Sequence, residues 1–102
     1  MRKIQIGTKA LGSEYPPFVI AELSANHNGD IKLAKKLMET ATDCGADAIK
    51  IQTYSADTMT IKSNKTDFFI SHGLWKGRSL YDLYKKAQTP FEWQEELFNY
   101  AR

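Results

Sequence analysis

The sequence predicts an α/β fold built around a single β-α-β unit. Three observations carry this. FVIAEL (18–23) and AIKIQTY (48–54) are short apolar runs of strand length. Between them, Ala34, Leu37, Met38, Ala41 and Cys44 recur at spacings of three and four, which sets them on one face of a helix. The three segments fit within roughly 35 residues, the size of a β-α-β unit, whose strands must run parallel.

Each element has its own signals. KIQI (3–6) alternates polar and apolar, and Gly7 and Gly12 flank TKAL, which predicts a short N-terminal strand or hairpin. Tyr15-Pro16-Pro17 interrupts any regular element before FVIAEL. That run suits a strand buried on both faces. Asp30 is a suitable N-cap for the helix, and Gly45 stands where a left-handed C-terminal cap belongs. Cys44, on the apolar face, is expected to be a buried thiol. Asp47 leads into the second strand.

Residues 54–78 show no clean period, and a loop of about 25 residues is usually a lid, a binding loop or disordered. Phe68, Phe69 and Trp75 argue against disorder and are expected to anchor the loop. Two helices follow. Ser79 starts one, with Leu80, Leu83, Tyr84 and Ala87 on its apolar face. Thr89-Pro90-Phe91-Glu92 predicts the start of the other, with Thr89 as N-cap, Pro90 at the first helical position and Glu92 completing a capping box. Its apolar face is Trp93, Leu97, Tyr100 and Ala101.

Composition narrows the function classes. The 102 residues suffice for one small domain and are too few for two. A formal charge of +2, with Lys and Arg scattered among acids, gives no one-sided basic stripe for nucleic acid. No apolar stretch reaches membrane-spanning length, and the first twelve residues lack the apolar core of a signal peptide. Cys44 is the single cysteine, so an internal disulfide is impossible. The expected location is the cytoplasm.

AELSANHNGD (21–30) is a costly way to leave an apolar strand, because a carboxylate there needs a polar destination. Strand alternation supplies one. Glu22 shares a face with Phe18 and Ile20, while Lys50 and Gln52 share a face with Ala48. The crossover helix suits the opposite faces, Val19/Ala21/Leu23 and Ile49/Ile51. Glu22, Lys50 and Gln52 are therefore expected together, near the carboxyl ends of neighbouring parallel strands, where α/β proteins put their sites in open sheets and closed barrels alike. A purely structural Glu22–Lys50 pair is the plain alternative, but it would need no Gln52 beside it.

Other signals are weaker. His27 is expected to order its Asn-rich turn rather than bind metal, and Asn26, Asn28 and Gly29 suit positive-φ positions. His72 reads as an ordinary loop residue. Neither histidine has a partner at metal-ligand spacing, so no metal site is expected within this chain. Asn28-Gly29-Asp30 at a helix start is a poor phosphate signal without a glycine-rich loop.

IAELSANHNGD, GADAIKIQTYSADTMTI and GLWKGRSLYDLYKKAQTPFEW together resemble the amino-terminal part of the sialic acid synthase family, in its pseudaminic acid synthase branch. The resemblance runs from about Phe18 to Arg102. It implies a (β/α)8 barrel followed by a small antifreeze-like domain, working as a homodimer. It implies condensation of phosphoenolpyruvate with a 6-deoxy diacetamido-altrose to give pseudaminic acid and phosphate, with a divalent metal, Mn²⁺ or Mg²⁺. By this likeness Lys50 lies beside phosphoenolpyruvate, Glu22 acts near the reacting carbons and Gln52 binds the sugar. The family's metal-binding histidines correspond to nothing in these residues. Residues 1–102 would thus be the N-terminal part of a barrel that typically takes about 250 residues, inactive alone.

Two other activities stay open at this point: an N-acetylneuraminate synthase acting on N-acetylmannosamine, and an unrelated aldolase using Lys50 as a Schiff base. A non-enzymatic product that pairs with an intact synthase is a third reading.

Overall fold

In the computed structural model, residues 4–102 are described, so Lys3 of the expected first strand lies outside the described residues. Ile4–Ile6 (β1) and Lys9–Leu11 (β2) pair antiparallel, with Ile4 opposite Leu11. Gly7, at φ +57°, supplies the positive dihedral that so tight a hairpin turn requires.

The β-α-β unit forms as expected, with shorter strands. Ile20–Glu22 (β3) and Ala48–Lys50 (β4) pair parallel, Ile20 opposite Ala48 and Glu22 opposite Lys50. The Leu23 N–H still donates to the Lys50 carbonyl at 3.0 Å, and there the chain turns away. Asp47 closes the other end. Its carboxylate accepts from the Val19 N–H at 2.9 Å and pairs with Lys9, so one side chain joins β3, β4 and the hairpin. The hydrogen bond from Lys9, then that from Val19, holds the Asp47 carboxyl below the usual carboxylate range.

Ile31–Asp43 (α1) connects the two strands. Asp30 caps it, accepting from the Lys32 N–H at 2.9 Å. Its end is a Schellman motif: Ala46 N–H bonds the Ala41 carbonyl, Gly45 N–H bonds Thr42, and Gly45 stands at φ +96°. That geometry overturns one expectation. Cys44 is the C-cap, past the last helical residue, and its thiol is exposed rather than buried.

Ala34 and Met38 of α1 form the core with Leu23 and Leu97, and Leu37, Ile49, Ile51 and Trp93 pack around them. The covered sheet face is therefore the predicted one at Leu23, Ile49 and Ile51, but Val19, expected on it too, lies at its edge and is 47% exposed. The expectation of a strand buried on both faces does not hold. Ile20, on the opposite side of β3, is 55% exposed, because no element described here covers that side.

Residues 54–78 hold more structure than their pattern suggests. Ala56–Met59 (α2) starts from a Ser55 capping box, Thr66–Phe68 makes a 3₁₀ turn, and Phe69 bridges antiparallel to Ser79. Of the aromatics, Trp75 and Phe68 are half-buried and Phe69 is exposed. Leu80–Ala87 (α3) is capped by Ser79, whose hydroxyl accepts from the Asp82 N–H at 3.1 Å.

The last helix begins differently from its sequence signature. Phe91–Trp93 is a 3₁₀ turn, and the α-helix runs over Gln94–Ala101 (α4). No side chain caps either, so the Thr89 capping box is not formed. Only Leu97 and Trp93 of the expected apolar face turn inward. Tyr100 and Ala101 are exposed, and the Tyr100 hydroxyl donates to Glu39 on α1. The architecture is mixed α/β. Among the described residues, no helix is long and apolar enough to cross a membrane.

Candidate functional site

Parallel pairing sets Glu22 directly opposite Lys50 on the uncovered face. The Lys50 ammonium donates to Glu22 Oε1 at 3.0 Å, and the two side chains are 54% and 58% exposed. An ion pair so exposed contributes only about 0–1 kcal/mol to stability. The fold therefore does not depend on it. The ammonium keeps two further donors for an anionic group, and the carboxylate keeps an oxygen that can accept from a hydroxyl or take up a proton.

Gln52 is also exposed, one alternation beyond Lys50, and among the described residues the side-chain hydrogen bond at this face is the one between Lys50 and Glu22, without Gln52. Its backbone is held instead: the Gln52 carbonyl accepts from the Thr89 N–H at 3.1 Å. Thr53 forms a parallel bridge with Thr89, and its hydroxyl accepts from the Gln94 amide at 2.7 Å. Of the three expected site residues, the structure brings two into contact and anchors the backbone of the third.

The exit from β3 is a run of tight turns. Asn26 N–H bonds the Leu23 carbonyl, Asn28 bonds Ala25 and Asp30 bonds His27. Asn28 and Gly29 take positive φ, as their residue types suggest, but Asn26 does not. Ser24 does, at φ +48°, a conformation that costs a non-glycine residue roughly 1–2 kcal/mol.

His27 is 1% exposed, in a turn whose neighbours Asn26 and Asn28 are open to solvent. Its Nδ1 accepts from the Gly29 N–H at 3.0 Å, and its Nε2 lies 3.0 Å from Thr89 Oγ1. The Trp93 ring meets it edge-on at 5.2 Å. Burial pushes the imidazole pKa down, which favours the neutral ring that the Gly29 N–H donation to Nδ1 requires. A lowered folded-state pKa gives stability that is complete above the unfolded value and is lost as pH falls through the folded one. Thr89, read from sequence as a helix cap, is the residue that sequence reasoning missed. Its partner lies 62 positions away, and no local pattern signals that.

Among the described residues no three His, Cys, Asp or Glu side chains gather to hold a metal. The ligand set for a divalent cation is not found in them. A shallow hollow of about 240 Å³ borders Glu22 and Asn26, against Leu37 and Thr40 of α1. A larger one, about 590 Å³, lies at the other end of the strands beside Asp47 and Ala48, away from the Lys50 amine.

Known proteins resemble this chain throughout. It is 48% identical over 99 residues to the pseudaminic acid synthase of Campylobacter jejuni (strain NCTC 11168), covering 97% of this chain and 28% of that protein. It is 49% identical over 87 residues to the pseudaminic acid synthase of Helicobacter pylori, covering 85% of this chain and 26% of that one. The crystal structure of the spore coat polysaccharide biosynthesis protein SpsE from Bacillus subtilis superposes with a TM-score of 0.64 at 33% identity, over 99% of this chain and 25% of that chain. The chain thus spans little more than a quarter of the curated relatives it matches. The sequence model of the NeuB family matches residues 37–102, and with these likenesses it shows that the chain belongs to the NeuB family.

Proposed function

We propose that these residues are the amino-terminal part of a (β/α)8-barrel synthase that condenses phosphoenolpyruvate with a 6-deoxy diacetamido-altrose, giving pseudaminic acid and phosphate. The observation that carries the reading is the Glu22–Lys50 pair: in register, 3.0 Å apart, on the uncovered face at the carboxyl ends of parallel strands. The 48% identity to a pseudaminic acid synthase supports the choice of acceptor.

In this reaction the methylene carbon of phosphoenolpyruvate bonds to the aldehyde carbon of the open-chain sugar as its C=O π bond opens, and the former carbonyl oxygen takes up a proton to become a hydroxyl. The electron deficiency left at the enol carbon is met by water, and loss of phosphate from that carbon yields the 2-oxo acid. The Lys50 ammonium offsets the charge of the phosphate or carboxylate. Glu22 orients the sugar or accepts a proton from the attacking water. Gln52 offers a neutral amide to hydroxyl or acetamido groups of the acceptor. The divalent cation that belongs to the proposed reaction finds no ligand set among the described residues, and none of these roles depends on it. The proposed assembly is a homodimer, and the proposed compartment is the cytoplasm.

The test is a chimera in which this chain replaces the matching quarter of the Campylobacter jejuni enzyme. It should release phosphate from phosphoenolpyruvate only when the acetamido sugar is present. Lys50→Ala in that chimera should lower kcat/KM by about 10²–10³-fold, the usual cost of losing one charge-stabilising donor. Near-normal turnover would remove Lys50 from the mechanism. Borohydride trapping of the protein on a carbonyl substrate would favour the Schiff-base aldolase instead.

A further inference from the structure

We propose that His27 and Thr89 are positioning residues, a neutral hydrogen-bonded clamp that fastens the turn after β3 to the end of β4 and so holds Gln52 in place relative to Glu22 and Lys50. The inference rests on the synthase reading for its functional meaning, but its geometry stands apart from it.

The clamp begins with the tautomer. The Gly29 N–H can only donate, so Nδ1 of the neutral ring presents its lone pair there, and the ring proton sits on Nε2. Nε2–H then donates to Thr89 Oγ1 at 3.0 Å. One ring thereby serves two segments 62 positions apart, as acceptor for its own turn and as donor to the distant one. Thr89 is 1% exposed and continues the line, giving its N–H to the Gln52 carbonyl and bridging to Thr53. Trp93 packs edge-on against the imidazole at 5.2 Å.

The placement matters because the β ladder stops short of this point. The Leu23–Lys50 bond is the last one between the two strands. Glu22 and Lys50 lie inside the ladder and are fixed by it. Gln52 lies past it, and its backbone partner is Thr89. The route from Glu22 to Gln52 beyond the ladder runs through Leu23, the turn, His27 and Thr89. With both ring nitrogens occupied and the ring buried, His27 has no lone pair left for a cation and no open path for a proton.

Four substitutions separate a clamp from simple packing. Thr89→Val keeps the shape and deletes the hydroxyl, whereas Thr89→Ser keeps the hydroxyl and deletes a methyl. His27→Asn can mimic Nδ1 alone, and His27→Gln can mimic Nε2 alone. Amide hydrogen exchange and ¹⁵N spectra of the chimera give the readout. Thr89→Val should speed exchange at Thr89 about tenfold, the usual consequence of losing one buried hydrogen bond, and spare Gly29, whose bond to Nδ1 it leaves in place. Thr89→Ser should restore protection. His27→Asn should spare Gly29 and release Thr89, and His27→Gln should do the converse. In the chimera, Thr89→Val should raise KM for the sugar more than it lowers kcat, with Thr89→Ser recovering it.

A protonated Nδ1 in the ¹⁵N spectrum would overturn the proposal. So would Thr89→Ser proving more damaging than Thr89→Val, the order that packing alone demands. If the chimera lacks synthase activity while the exchange pattern holds, the functional reading fails and the clamp survives. If activity is present but Thr89→Val leaves exchange and KM unchanged, the clamp fails and the synthase reading survives.

Discussion

The two faces of the β3–β4 pair come from the same few residues and have opposite fates. Leu23, Ile49 and Ile51 turn toward α1 and α4 and join the packed core. Glu22 and Lys50, one position along, look outward with Ile20 and remain more than half exposed. Strand alternation alone produces the division. It separates stability from chemistry: the covered side supplies burial, while the open side carries the charges and contributes little to folding. A residue on one face can be changed without the consequences it would have on the other.

That separation can be broken experimentally. The largest expected effect is on the covered side. Leu97, 1% exposed, lies at the centre of the core, and Leu97→Ala should cost about 2–5 kcal/mol by denaturant unfolding. An intermediate effect belongs to the helix that covers one face. Asp30→Ala removes the side-chain cap of α1 and should cost about 1 kcal/mol, with Asp30→Asn recovering most of it. The smallest effect is expected on the open side, where Lys50→Met and Glu22→Gln should each shift stability by under about 1 kcal/mol. The same two substitutions should nonetheless be severe in the phosphate-release assay. An open-face variant that unfolds as readily as Leu97→Ala would show that the two faces are not separable.

Much of this was legible in the sequence wherever the information is local. The α1 boundaries follow from Asp30 and Gly45, whose roles depend only on their neighbours. The facing of Glu22 and Lys50 follows from alternation and parallel register. What failed was the part that depends on distant partners. Thr89-Pro90-Phe91-Glu92 is a sound capping pattern, yet the Thr89 hydroxyl goes to His27 and the first turn tightens to 3₁₀. Cys44 fits the helical spacing, but the Schellman motif ends the helix one residue earlier and turns the thiol outward. Ser24 takes a positive φ that nothing in its residue type announces. Burial on both faces of β3 was read from an apolar run, but a run records what a strand can tolerate, not what comes to cover it.

The bridge between Thr53 and Thr89 has a consequence for how such proteins can vary. The excursion between them leaves and returns at adjacent points, like a cassette with both ends stitched to one seam. Loop closure grows costlier only slowly with length, so segments of other sizes could be exchanged there without disturbing the strands. Residues 54–88 can thus be swapped between relatives with Glu22, Lys50 and the packed core left untouched.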